Sequence, residues 1–189
     1  MSHQQAIERI WDEHVHVAKA LHGLAPEVDR IVSVIAASMT AGGALLVCGN
    51  GGSAADAQHI AAELTGRFFR DRKPLRAMAL HGNTSSLTAI GNDYGYDEVF
   101  AREVAAHGRP GDVLLAISTS GNSRNVLRAI DVAAERGMIV IGFTGGDGGK
   151  LRTRCDVCLC VPSNSVPRIQ ECHILIGHTV CELLEQILC

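Results

Sequence analysis

Ala44-Leu45-Leu46-Val47-Cys48-Gly49-Asn50-Gly51-Gly52-Ser53 runs an apolar segment straight into a glycine-rich turn. A continuous apolar run of this length reads as a strand buried on both faces, and the glycines permit a tight turn with no side chains in the way. The pattern that follows is helical, so the first amides of a helix face the end of the strand, where unpaired N–H groups attract negative charge. In that helix His59 and Glu63 stand four residues apart, and residues so spaced project from one face. An imidazole and a carboxylate thus look toward the glycine turn, as they would in an enzyme site.

Outward from this unit the chain keeps alternating. Strands are expected over 44–48, 76–80, 112–117, 138–143 and 156–161. Helices are expected over 2–22, 26–40, 53–65, 84–91, 97–107, 122–136 and 166–188. Val113-Leu114-Leu115-Ala116-Ile117 and Met138-Ile139-Val140-Ile141 are continuous apolar runs like the first, and alternation with helices implies a parallel sheet. The fold class is α/β: a three-layer α/β/α sandwich, doubly wound and flavodoxin-like, with extra helices at the N- and C-termini. Ligands of such folds sit outside the carboxyl ends of the strands. Gly145-Gly146-Asp147-Gly148-Gly149 reads as a flexible loop or simply a surface turn.

The 189 residues fit one domain, 1–189, with 47% hydrophobic and 20% charged residues. A net charge of -3 without a long basic run argues against nucleic acid as a partner. No apolar stretch approaches the roughly 20 residues that span a bilayer, so no membrane partner is expected. The polar start of the chain lacks the apolar core of a signal peptide, which points to the cytoplasm. Seven cysteines, an odd number, do not suggest a disulfide framework. Cys155-x-x-Cys158-x-Cys160 resembles a metal cluster in spacing, but residues 156–161 read as a strand with Cys158 and Cys160 as small apolar fillers of one face.

A second loop leaves the same end of the sheet. Ser118-Thr119-Ser120-Gly121-Asn122-Ser123 follows a strand and precedes a helix, and its four hydroxyls form a neutral, donor-rich cradle suited to phosphate. No Gly-Lys-Ser/Thr closes it, so it is not a nucleotide triphosphate loop. The hydroxyl loop is thus a better phosphate cradle than the Gly49–Ser53 turn, which lies closer to His59 and Glu63. A third loop, Gly91-Asn92-Asp93-Tyr94-Gly95-Tyr96, offers groups that bond sugar hydroxyls. In the last helix Gln170 and His178 are eight residues apart, an advance of about 12 Å. That strains the reach of both to one ion, so at least one is expected to enter a site built between subunits. His81, His107 and His173 have no partner that the sequence names.

These motifs, with Glu63-Leu64-Thr65-Gly66-Arg67 and Arg168-Ile169-Gln170-Glu171, occur in order and closely resemble the heptose-phosphate branch of the sugar isomerase (SIS) family. The resemblance spans nearly the whole chain. It implies conversion of sedoheptulose 7-phosphate to D-glycero-D-manno-heptose 7-phosphate, the first step toward ADP-heptose for lipopolysaccharide and other surface glycans. It implies one zinc ion per subunit on His59, Glu63, Gln170 and His178. It assigns substrate contacts to Asn50, Gly51, Gly52, Ser53, Glu63, Asn92, Asp93, Ser118, Thr119, Ser120, Ser123 and Gln170. It also implies a homotetramer whose sites are shared between subunits.

The chemistry of the groups then assigns roles. Isomerisation through an enediol needs a base at one carbon and a proton shuttle between two oxygens, tasks for Glu63 and His178 respectively. The alternative is a non-catalytic SIS adaptor of replication initiation, which would need neither group.

Overall fold

The structure is a computed structural model that describes all residues, 1–189. Two helices come first: α1 (His3–Ala20), with a short 3-10 turn at Leu21–Leu24, and α2 (Ala25–Thr40). Then follow β1 (Leu45–Gly49), α3 (Gly52–Thr65), β2 (Ala77–Ala79), α4 (Thr84–Tyr94), α5 (Val99–His107) and β3 (Val113–Ile117). The chain ends with α6 (Arg124–Glu135), β4 (Ile139–Gly145), β5 (Val157–Val161) and α7 (Val166–Leu188). Every expected element is present. No helix is long and apolar enough to cross a membrane.

All five strands are parallel, in the order β2-β1-β3-β4-β5. The apolar runs are buried on both faces because helices cover both. Leu45, Val47, Val113, Leu115, Ile117 and Phe143 pack with α2, α3 and α7. Leu46, Cys48, Leu114, Ala116 and Val140 pack with α5 and α6. β5 instead alternates: Val157, Leu159 and Val161 are buried, while Cys158 and Cys160 share the outer face half-buried, their sulfurs 4.0 Å apart. All seven cysteines are free thiols.

The strand order reverses at β1, whose neighbours are β2 and β3, and that reversal opens the crevice where ligands bind in this architecture. Gly49 and Ile117, the last residues of β1 and β3, are register partners. The glycine turn and the hydroxyl loop therefore leave the sheet side by side.

Three expectations need correction. Asn92 and Asp93 do not lie in a loop, because α4 runs on to Tyr94 and ends at Gly95, whose φ of +88° suits glycine. The helix after the hydroxyl loop starts at Arg124, two residues later than the spacing suggests. Gly145–Gly149 is no free surface turn: Gly145 and Gly148 are buried, and the segment packs beneath the hydroxyl loop.

His173 finds its partner inside the core, with Nε2 3.1 Å from the Thr144 carbonyl and the ring 5.6 Å from that of Phe143. Burial pushes its pKa down to about 4, against the opposing Thr144 hydrogen bond. As pH falls the unfolded chain, with imidazole pKa near 6.5, takes up this proton before the native state does. The contribution is whole above about pH 6.5 and is lost between there and about pH 4, amounting to about 3 kcal/mol. Urea denaturation of wild type and His173→Gln at stepped pH is expected to show the gap in stability closing by that amount. A pH-independent gap would assign the proton uptake elsewhere.

Candidate active site

The crevice is framed by two helix starts. Gly51 precedes α3 with φ +57°, a conformation that keeps a side chain off the turn, and no side chain caps the first amides of α3. Ser123 precedes α6, also without a side-chain cap: its hydroxyl lies 2.9 Å from that of Ser118 instead. Both helices thus turn positive dipole ends to the crevice, as an anion requires; the first amides of α6 are open, whereas those of Ser53 and Ala54 in α3 donate to the carbonyls of Asn50 and Gly51 at 3.0 Å each.

The hydroxyl loop is held from behind. Gly121 lies against the backbone of Gly148, the Gly145 amide donates to the Thr119 carbonyl at 3.1 Å, and the Leu151 amide donates to the Gly121 carbonyl at 3.0 Å. Asn122 donates to the Ser120 carbonyl at 2.8 Å and accepts from the Lys150 amide at 3.2 Å. Ser118 is buried, Thr119 half-buried and Ser120 exposed. A cavity of about 180 Å³ opens beside Thr119 and Ser120, with Asp147, Ser163 and Asn164 on its far wall.

Asn50 and Asn125 exchange two amide hydrogen bonds of 2.9 Å each, and Tyr96 donates its hydroxyl to Asn50 at 3.1 Å. Asn50 is thus engaged inside the chain as well as facing the crevice. Asn125, one residue into α6, is the cross-link between the glycine turn and the helix that follows the hydroxyl loop. Asn92 and Asp93 are exposed on the last turn of α4 and bond each other at 2.8 Å.

His59 and Glu63 share a face of α3, with Nε2 3.1 Å from Oε1. His178 comes in from α7 to place its Nε2 3.2 Å from His59 Nε2. The ligand atoms of the three residues all lie within 4.8 Å of one another. Zinc bonds of 2.0–2.2 Å in a tetrahedron separate neighbouring ligands by about 3.3 Å, so these two spacings match tetrahedral edges. Two imidazoles and a carboxylate with an open position are also the donor set of a reactive rather than a structural zinc centre. The residues present fit the ion.

Gln170, the fourth residue of the implied set, lies elsewhere in the chain. Its amide packs on Gly52, where a Cβ would stand 2.5 Å from Nε2. Gly52 opens α3 seven residues before His59, an axial distance of about 10 Å.

Several neighbours escaped the sequence reading. Asp56 lies one turn before His59, with Oδ2 buried and unpartnered; burial pushes its pKa up to about 6, against the nearby His59. The Asp56–His59–Glu63 spacing was the available signal. Arg168 and Glu171 prove to be a tether. Arg168 Nε donates to Glu171 at 2.7 Å, Nη1 donates to the Ile10 carbonyl at 3.1 Å, and His14 Nδ1 lies 2.7 Å from Glu171, tying α7 to α1. The buried pair Arg72–Glu185, 3.0 Å apart, had no signal, because 113 residues separate its members.

A parallel sheet whose hydroxyl-lined loop and helix starts face an imidazole–carboxylate cluster defines a sugar-phosphate-binding α/β protein. The SIS domain profile matches residues 13–145, and the chain belongs to the SIS-domain family, in its phosphoheptose isomerase branch. It is 59% identical over 165 residues to the phosphoheptose isomerase of Rhodospirillum rubrum, covering 87% of this chain and 88% of that one. It is 50% identical over 182 residues to that of Helicobacter hepaticus, covering 96% and 93%. The structure of phosphoheptose isomerase from Neisseria gonorrhoeae superposes with a TM-score of 0.93 at 44% identity, covering 98% of this chain and all of that one.

Proposed function

We propose that the chain isomerises sedoheptulose 7-phosphate to D-glycero-D-manno-heptose 7-phosphate through an enediol, the first step of ADP-heptose biosynthesis. The observation that carries this reading is the meeting of Glu63, His59 and His178 within 4.8 Å, in a chain 59% identical to a phosphoheptose isomerase. Incubation with sedoheptulose 7-phosphate, followed by NMR, is expected to show an aldose anomeric signal growing as the ketose is consumed. An unchanged ketose spectrum would refute the proposal.

In this reading the phosphate sits on Ser118, Thr119, Ser120 and Ser123 and the open amides of α6. The sugar chain runs along Asn50–Ser53 toward α3, with Asn92, Asp93 and Gln170 bonding hydroxyls. Glu63 takes the proton from carbon 1 of the ketose while the carbonyl oxygen at carbon 2 gains one, which gives the enediol. A proton returned to carbon 2, with loss of the hydroxyl proton at carbon 1, completes the aldose. His178 moves the oxygen-bound protons, and the phosphate grip, remote from the reacting carbons, supplies binding energy for orientation. Zinc held by His59, Glu63 and His178, with a Gln170 from a neighbouring subunit, would polarise the carbonyl and stabilise negative charge on the oxygens. Ser123→Ala removes the hydroxyl that pairs with Ser118, and is expected to raise KM about tenfold with little change in kcat in steady-state assays. A fall in kcat instead would place Ser123 at the reacting end.

We assign the assembly as a homotetramer with shared sites. The position of Gln170 on Gly52, at the other end of α3 from the cluster, supports this, because one chain alone does not bring it to the other three groups. The exposed apolar residues Ile7, Ile10, Trp11 and Val15 on α1 offer a surface for association. Seven free thiols suit the reducing cytoplasm.

A further inference from the structure

We infer that the buried Arg72–Glu185 pair is a positioning device that sets the axial register of α3 against α7, and through it the spacing of Glu63 and His178. The inference rests on the proposed reading of those residues as the reacting cluster.

The pair is nearly sealed from water, with 3% and 2% of the two side chains exposed. Its hydrogen bonds join the last turn of α3 and the segment after it to one residue of α7, Glu185. Arg72 Nη2 donates to the carbonyl of Glu63 itself at 2.8 Å, and Nη1 donates to the carbonyls of Leu64 at 2.9 Å, Lys73 at 3.1 Å and Gly66 at 3.4 Å. One guanidinium thus closes the C-terminal end of α3, sharing the Leu64 carbonyl with the Leu75 amide, which donates to it at 3.0 Å. Arg72 Nε donates to Glu185 Oε2, and the Glu185 carboxylate also accepts from the amides of Phe68 at 3.1 Å, Phe69 at 2.9 Å and Arg70 at 2.6 Å. Burial works to raise the Glu185 pKa, but these three amides and Arg72 outweigh it and hold the carboxyl below its ordinary value. Phe68, fixed by this bond, sets its ring 5.6 Å from that of His178.

Glu185 lies on α7 two turns beyond His178, and α3 and α7 run in the same direction. Gln170 meets Gly52, Gly177 meets Ile60, and Glu185 meets the segment after α3. At Gly177 the helices approach so closely that a Cβ would stand 2.8 Å from Ile60 Cδ1. That contact fixes their separation, and close packing opposes sliding as well, but it does so without the directional bonds that define one register. The forked Arg72, bonded to the Glu63 carbonyl at one end and to α7 at the other, resists it directly. The cluster needs such control: its 3.1 and 3.2 Å spacings would not survive a slip of about 1 Å, a misplacement large enough to cost about a hundredfold in rate.

The test compares wild type, Arg72→Lys, Glu185→Gln and a control, Val104→Ala, which weakens the core on the opposite face of the sheet. Lysine keeps the charge of Arg72 but cannot bond α3 and Glu185 in one plane. Arg72→Lys is expected to lower kcat tenfold to about a hundredfold, with KM within about threefold of wild type, because the phosphate loop is untouched. Calorimetric titration of the metal-stripped protein with Zn²⁺ is expected to show affinity weakened about tenfold or more. Val104→Ala, with a comparable fall in melting temperature, is expected to keep both kcat and Zn²⁺ affinity. Wild-type kcat and Zn²⁺ affinity in Arg72→Lys, or equal losses in Val104→Ala, would overturn the inference. Should Arg72→Lys fail to fold, Glu185→Gln is judged by the same criteria. If wild type itself does not turn over the heptulose phosphate, the functional reading falls, while the Zn²⁺ titrations still decide the register.

Discussion

Glu63→Gln is expected to reduce kcat by about a hundredfold to ten-thousandfold while leaving KM nearly unchanged. The substitution is isosteric, so the contacts that orient substrate persist, but an amide cannot accept the carbon-bound proton. Glu63 is suited to that task. Its side chain is about one quarter exposed, enough to meet a substrate, and Oε1 lies 3.1 Å from His59. A carboxylate that must serve as both base and metal ligand faces competing demands, so zinc content has to be read with the rate. Loss of turnover with zinc retained places the proton transfer on Glu63. Loss reversed by added Zn²⁺ makes the residue chiefly a ligand. A kcat within a few-fold of wild type eliminates Glu63 as the base.

Gly121→Ala is expected to damage both the fold and the phosphate grip. Gly121 has φ +64°, where a side chain alone costs about 1–2 kcal/mol. A Cβ there would also lie 1.9 Å from the Gly148 carbonyl oxygen, a backbone atom that cannot rotate aside. The clash must push apart the hydroxyl loop and the segment beneath it, breaking the hydrogen bond from Leu151 and misplacing Ser118 and Ser123. Stability should fall by more than about 2 kcal/mol, lowering the melting temperature by several degrees, and KM should rise at least about tenfold. Gly51→Ala is the informative comparison. Its φ is +57°, but a Cβ would meet nothing within 4 Å, so it carries the backbone strain without the collision. If the two variants melt together, the packing of Gly121 on Gly148 is not what holds the loop.

Much of the fold was legible because its signals are local. Val113–Ile117 is apolar at every position because helices cover both faces of β3, and His59 and Glu63 share a face because of the helical period. The failures were also physical. Asn92 and Asp93 have the composition of a turn, yet α4 continues through them, because the positive-φ glycine that ends it is Gly95. Gly145–Gly149 looked free because glycines advertise turns, and only packing reveals that they are small in order to admit Gly121, Ile169 and Arg152.

By itself, then, the sequence determined the alternation of strands and helices, the glycine turn and hydroxyl loop at one end of the sheet, and the shared helical face of His59 and Glu63. Each of these depends on residues within one or two turns of each other. The tertiary structure alone decided that His178 joins His59 and Glu63 while Gln170 goes to Gly52, that Asn125 ties α6 to the glycine turn, and that Arg72 meets Glu185. Those pairings span from 75 to 119 residues, and no periodicity along a chain encodes which distant side chains a packed core will bring into contact.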